Sequence, residues 1–395
     1  MEAGLPALGQ WPPRTRWPGA VHRGVAALKE ALGAPPMVLL AVSGGADSLA
    51  LAVLTAVLRG TREGEGLHVG AVAVDHALQP GSGEVAAAAG QVCRGLGLDP
   101  VCVETVQVQL RGDGLEAAAR DARSTALVQA ARRAGAGLVA TAHTADDQAE
   151  QVLLALARGS GTRSLAGIPA RRRLATGVEL VRPLLGLTRA DTEAVCAWGG
   201  VTWWADPMNT DPDVRRVRVR ETVLPLLEDE HRGLGAGVRA GLVRSAAIAA
   251  EDAAALESWA ERELAALRLD DALDLPPLAS EEPGRESPTD AAPSRRRIAL
   301  DLDGLAALPA AVRHRIYARA AALTGADPTT RERLLAVDAL VTQARRGGTS
   351  AGPVQLGGGT QVRRRRREAA GGGTGAGAGA RTCARLEFHP DPAVD

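Results

Sequence analysis

Through residues 21 to 156, short unbroken apolar runs of strand length alternate with longer amphipathic or alanine-rich stretches of helix length. Met37 to Val42 is the clearest run. Pro35-Pro36 precedes it and Ser43-Gly44-Gly45 follows it, so its length and punctuation predict a buried parallel strand. Leu67 to Val74, running into Asp75-His76, predicts a second strand, Val101 to Val108 a third and Leu138 to Ala142 a fourth. Helical patterns fall between them, at Gly83 to Leu96, Gly114 to Ala134 and Ala145 to Leu156, and a short amphipathic helix over 21 to 33 precedes the first strand. This alternation predicts an α/β fold built on a doubly wound parallel sheet. Such sheets bind ligands at the carboxyl ends of their strands.

The pattern changes beyond residue 230. Residues 234 to 268 predict a long amphipathic helical region, 270 to 296 a mobile insertion rich in Pro, Glu, Ser and Arg, and Ile298 to Gln343 further helix. Gly347 to Arg367 predicts a short β-hairpin, and the glycine-rich run from Gly371 to Gly379 flexible low complexity. Residues 1 to 20, rich in Pro, Gly and Trp, predict a loosely ordered lead-in.

Composition sharpens the choice of chemistry. Only Lys29 is a lysine, so a lysine nucleophile or phosphate ligand is nearly excluded, and arginine, backbone amides and metal must do that work. The formal net charge is zero, so no global basic field points to nucleic acid. The arginines are clustered, however, at 171 to 173, 215 to 220, 295 to 297 and 363 to 367, and local clusters let a neutral protein grip a polyanion. Four cysteines at 93, 102, 196 and 383 show no C-x-x-C and no metal spacing, and read as free thiols of a reducing compartment. No apolar run reaches membrane-span length and no signal-peptide core opens the chain, so a cytoplasmic location and no membrane partner are expected.

Three places carry candidate chemistry. Ser43-Gly44-Gly45-Ala46-Asp47-Ser48 links the first strand to an apolar run of helix length. Its glycines let a ligand approach the backbone, and turn amides with the helix dipole suit an anion such as phosphate. It is neither a Walker A loop nor a Rossmann fingerprint. Asp47 would repel phosphate unless a divalent cation lies between them or it accepts a hydrogen bond from another part of a nucleotide. A plain glycine turn with Ser43 as helix cap is the competing structural explanation. Asp75 and His76 sit at the second strand's end. His143, Asp147 and Glu150 follow the fourth strand, the two carboxylates sharing one helix face, where they can bind a cation or an amino group; capping by Asp146 or Asp147 is the plainer alternative.

In order, Ser43 to Ser48, Asp75 to Leu78, Leu115-Glu116 to Arg120, Ala140 to Glu150, Arg158 to Gly161, Arg182 to Leu185 and Asp206 to Arg220 resemble the motifs of the tRNA(Ile)-lysidine synthases, PP-loop ATP pyrophosphatases. Departures stand at Gln151, Met208 and Val217. The resemblance implies a catalytic ATP-binding domain over 36–230 after a lead-in and helix at 1–35. It implies a smaller helical tRNA- and substrate-binding domain over 231–345, and leaves 346–395 as a hairpin and flexible tail. It further implies a ligase using ATP and Mg²⁺, with free L-lysine and the CAU-anticodon tRNA(Ile) as partners. ATP adenylates the C2 oxygen of the wobble cytidine, and lysine then displaces AMP to give lysidine, changing codon specificity from AUG to AUA. Ser43 to Ser48, Asp75 and His76 would hold ATP, Asp47 the Mg²⁺, Arg120 the charge at the α-phosphate, Asp147 and Glu150 the lysine ammonium, with His143 as base or orienter. Arg216, Arg218 and Arg220 are candidate tRNA contacts. A tRNA 2-thiolation enzyme, which would need a reactive cysteine, and a noncatalytic ATP- or RNA-binding homologue are the alternatives.

Overall fold

In the computed structural model of the chain, the described residues are 10–33, 35–75, 81–106, 115–205, 211, 213–269, 297–343, 352–365 and 384–390, the side chains of 115–120 excepted. They form two compact units, Met1–Glu251 and Asp252–Asp395. His76, the segment 206 to 210, the insertion at 270 to 296 and the glycine-rich run at 371 to 379 lie outside the described residues.

The first unit opens with α1 (Gly19–Leu32), β1 (Met37–Val42), α2 (Ala46–Arg59), β2 (His68–Asp75), α3 (Ser82–Gly95), β3 (Val101–Thr105), α4 (Leu115–Arg133), β4 (Leu138–Ala140) and α5 (Ala145–Ala157). Then come α6 (Thr162–Leu165), β5 (Arg171–Ala175), β6 (Val178–Val181), α7 (Arg189–Trp198), α8 (Arg215–Arg218), a π-helical turn at Val219–Val223, α9 (Leu224–Glu228) and the start of α10 (Val238–Leu267). The six-stranded sheet has the order β3-β2-β1-β4-β6-β5 and is parallel except for the edge strand β5. The doubly wound parallel sheet expected from the pattern is therefore present. Strand β1 pairs with β2 on one side, Leu40 opposite Ala71, and with β4 on the other, Leu40 opposite Ala140. The chain reverses its direction of strand addition between β1 and β4, and such a switch point opens a crevice at the carboxyl ends.

Side chains of β1 alternate between two cores, as the period of two demands. Val38, Leu40 and Val42 join the cluster with α1, α2, α3 and α7, whereas Leu39 and Ala41 face Leu127, Ala130 and Ala131 of α4. Helix α2 is buried from Ser48 to Leu58 without a polar face, because sheet and helices enclose it. This fixes the start of α2, and with it Asp47, in a rigid frame.

Sequence pattern missed the β5–β6 hairpin. Arg171 to Arg173 form part of β5, where charge on an exposed edge discourages pairing with other chains. Strand β4 is shorter than expected because the chain turns away at Thr141, whose amide still donates to the Val181 carbonyl.

The second unit corrects the expected boundaries. From α10's later turns it continues with β7 (Ile298–Asp301), α11 (Leu302–Ala307), α12 (Ala310–Leu323), α13 (Arg331–Thr342), β8 (Val354–Leu356), β9 (Thr360–Arg365) and β10 (Arg385–Pro390). The predicted hairpin is present as β8 and β9, but β10 lies between β9 and β7 in an antiparallel sheet of order β7-β10-β9-β8. Residues 385–390 are therefore a central strand and not part of a tail, and the unit is a sheet packed with helices, not helical throughout. The chain's single Tyr and Phe, Tyr317 and Phe388, are fully buried in its core.

Candidate active site

The loop after β1 is held by its own serines. The Ser43 amide donates to Ser48 Oγ at 3.1 Å, and Ser48 Oγ donates to the Gly45 carbonyl at 2.9 Å. Ser43 is not the helix cap that the plainer explanation required. Gly45 occupies that position, and no side chain caps it, so the first turn of α2 presents its amides without a side-chain acceptor. Gly44 has φ +84°, and a Cβ there would lie 2.9 Å from Val85 Cγ1, so glycine is required twice over. Its carbonyl accepts from the Trp204 amide at 3.0 Å, which straps the segment after α7 to the loop.

Asp47 sits in the first turn of α2. Thr192 of α7 donates its hydroxyl to Asp47 Oδ1, while Arg189 Nη2 stands 3.9 Å from Oδ2. Burial raises the carboxyl's proton affinity above its usual range, and the Thr192 hydrogen bond and Arg189 offset this only in part.

After β4, Thr144 caps α5 with Asp147 in a reciprocal capping box: the Thr144 amide donates to Asp147 Oδ2 at 2.8 Å. Capping and a functional role are thus not exclusive for Asp147, whose other oxygen has Arg216 Nη2 at 3.4 Å. Burial pushes its carboxyl up, but the Thr144 amide and then Arg216 outweigh burial, and the net direction is down. Asp146 turns elsewhere, accepting from the Arg189 amide and from Arg239, both at 2.8 Å. His143 Nδ1 is 3.2 Å from Thr141 Oγ1. Burial, followed by the Arg182 charge, lowers the imidazole to about 4, so it is neutral at physiological pH.

Glu150 departs from the expectation. Its side chain has no exposure, and its oxygens accept from Arg216 Nε and Arg220 Nε, each at 2.7 Å. Both oxygens are held by guanidiniums and the residue does not line the cavity, so Glu150 anchors arginines here. The same contacts draw Arg216 and Arg220 inward, which leaves Arg218 as the surface member of the expected tRNA-contact trio. The π-helical turn at Val219–Val223 carries Arg220 and Glu221 together; such turns recur at functional sites.

One cavity of about 510 Å³ collects these groups, a size suited to a nucleotide. Ser43, Gly45, Ala46, Asp47 and Ser48 line one side, and Thr141, His143 and Asp147 another. Asp75 is buried at the end of β2 and does not line it, and the Arg120 side chain lies outside the described residues. Arg123 does line the cavity, three positions after Arg120 on α4 and so on the same helix face. Sequence reasoning missed it, along with Arg189 and Glu193 of α7, the pair Trp203 and Trp204, and Glu221. The one signal at α7 is the Thr188–Asp191 capping box, which marks where the helix starts but not what it faces.

A family model described as a PP-loop domain matches residues 21–227. The first unit is accordingly a PP-loop domain, the class of ATP-using fold that the β1 loop and the switch-point crevice already define. The chain is 44% identical over 328 residues to the tRNA(Ile)-lysidine synthase of Leifsonia xyli subsp. xyli, covering 83% of this chain and 87% of that one. It is 42% identical over 347 residues to that of Salinispora tropica, covering 87% and 93%. The chain belongs to the tRNA(Ile)-lysidine synthase family. Among solved structures, a U34-tRNA thiolase from Methanococcus maripaludis is similar at a TM-score of 0.47 and 17% identity, covering 59% of this chain and 80% of that one.

Proposed function

We propose that this protein ligates free L-lysine to C2 of the wobble cytidine of the CAU-anticodon tRNA(Ile), consuming ATP and releasing AMP and pyrophosphate. One observation carries the reading. A self-bonded glycine-serine loop and Asp47 at the end of β1 face His143 and Asp147 at the end of β4 across a single cavity.

In the first step the cytidine C2 oxygen attacks the α-phosphorus and pyrophosphate departs. The loop amides and the N-terminus of α2 hold phosphate oxygens, while Arg123, Arg189 and, by family resemblance, Arg120 supply positive charge where the transferred group gains negative charge. Asp47 would suit a divalent cation: it offers a hard oxygen ligand on the cavity wall beside the phosphate loop. No group of three or more His, Cys, Asp or Glu side chains that could hold a metal is found among the described residues. When bound, Mg²⁺ supplies neutralisation of the phosphate charge.

In the second step the lysine ε-amine attacks C2 and AMP leaves with the oxygen. The ammonium, with an ordinary pKa of about 10.4, must first give up a proton. Asp147 binds the ammonium, and neutral His143, which lines the same cavity, orients the amine; an imidazole lowered to about 4 is too weak a base to hold the proton, which passes to solvent. Glu150 acts from behind by fixing Arg216 and Arg220 against Asp147. Thiolation finds no nucleophile among the described cysteines, since burial pushes Cys93 and Cys196 up to about 12 and raises Cys102. No described helix is long and apolar enough to cross a membrane, and we place the reaction in the cytoplasm.

The test is mass analysis of nucleosides from tRNA(Ile) incubated with the protein, ATP and lysine. Lysidine at the wobble position is the expected product. ATP binding without AMP formation on any tRNA supplied would make the chain a nucleotide-binding homologue instead.

A further inference from the structure

The chain is poor in aromatic residues, with one Phe, one Tyr and six Trp, and all but two of these side chains are packed or bonded. Tyr317 and Phe388 are fully buried and Trp17 nearly so; Trp11 stacks on Trp198 at 5.3 Å, and Trp259 donates to Glu263. Trp203 and Trp204 remain 38% exposed each, and both line the cavity. Two indoles left part-exposed forgo some of the burial that the chain's other aromatic side chains obtain. The cavity is also graded. Ser48 and Thr141 at its floor are buried, the Asp147 and Asp47 side chains are 14% and 24% exposed, and the two indoles lie at the outer rim. The Trp204 amide bond to the Gly44 carbonyl holds this rim in fixed relation to the phosphate loop.

We propose that Trp203 and Trp204 are positioning residues that stack the unpaired pyrimidine of the RNA substrate as it enters from solvent over ATP already seated on the loop. The proposal rests on the reaction assigned above. Every base has a π face, and an unstacked base from a loop needs a new stacking surface once it leaves its neighbours. A wall at the rim meets the RNA base, whereas the adenosine half of a nucleotide anchored by its phosphates at the floor enters first and lies deeper.

Trp203→Ala, Trp204→Ala and the double variant, each with its Phe counterpart, test this in the full-length protein. Filter binding gives the Kd for unmodified tRNA(Ile), steady-state pyrophosphate release gives the tRNA KM, and ATP binding is measured without RNA. The expected result is a roughly 5- to 150-fold rise in tRNA Kd and KM for the double Ala variant, the size of one base–aromatic stack. ATP affinity and thermal unfolding should stay unchanged, and Phe should restore most of the loss. Unchanged tRNA Kd and KM overturn the proposal, and so does an equal weakening of ATP, which would assign the indoles to adenine. If the unaltered protein releases no pyrophosphate yet the Ala variants still lose tRNA affinity, the reaction fails and the stacking wall stands.

Discussion

Glu150→Ala separates the two roles available to this carboxylate. In the structure it is fully buried and accepts from two guanidiniums at 2.7 Å, so removing it strands Arg216 and Arg220 beside a cavity. Breaking a buried ion pair by deleting one partner costs about 3–5 kcal/mol. The Arg216 and Arg220 side chains keep 34% and 16% exposure, so water recovers part of their charge and the lower end applies. The expected loss is therefore about 3 kcal/mol, or about 6–12 °C in the melting temperature of a unit this size. Glu150→Gln, which keeps one acceptor oxygen and the shape, should lose about half as much. Urea denaturation followed by circular dichroism reads the stability. Pyrophosphate release and lysidine formation, measured separately on the folded fraction, read the two steps. Both steps should fall together, because Arg216 and Arg220, which stand against Asp147, lose their anchor, and Arg220 lines the cavity. A variant within about 1 kcal/mol of the parent that releases pyrophosphate but transfers no lysine would refute this reasoning and return Glu150 to the role of ammonium ligand.

Three further outcomes follow from the geometry. Gly44→Ala should cost about 1–2 kcal/mol from its left-handed φ and close the approach to the loop, abolishing ATP binding by calorimetry, whereas Gly45→Ala, at φ −78° with room for a Cβ, should fold normally. Because the Asp47 carboxyl is raised, its ionised form destabilises the free protein above that raised value. Asp47→Asn should therefore raise the neutral-pH melting temperature, read by thermal denaturation, while eliminating pyrophosphate release. His143 is lowered to about 4, so the unfolded chain takes up its proton first as pH falls. Its contribution is present above about 6.5 and lost toward 4, and His143→Gln should remove up to about 3 kcal/mol of acid sensitivity across that window in pH-dependent denaturation.

The centre of the fold was legible because its signals are local. Met37 to Val42 matches β1 residue for residue, since an apolar run bounded by prolines and a Ser-Gly-Gly turn has few other conformations open to it. The loop, Asp47, His143 and Asp147 could be expected together because they follow strand ends, where chain order alone places them, and they line one cavity. What escaped depends on partners distant in sequence. Glu150 looked like a free acid because Arg216 and Arg220 are 66 and 70 residues away. Thr192 and Glu193 belong to an ordinary amphipathic helix, and only packing against α2 sets Thr192 against Asp47 and Glu193 on the cavity wall. Strand β10 was hidden for the same reason: its partner β7 pairs Phe388 with Ile298 across a long stretch of chain, and six alternating residues after a glycine-rich run carry little local signal.

The single wide turn at Val219–Val223 makes the spacing of this segment as consequential as its side chains. Leu224, wholly enclosed, pins the downstream helix. Excising one residue from the turn would wind it back to ordinary pitch and swivel everything upstream by about 100°. Arg216 would then swing off its carboxylate although every charge on the segment was preserved. Arithmetic of chain length, more than chemical identity, aims these guanidiniums.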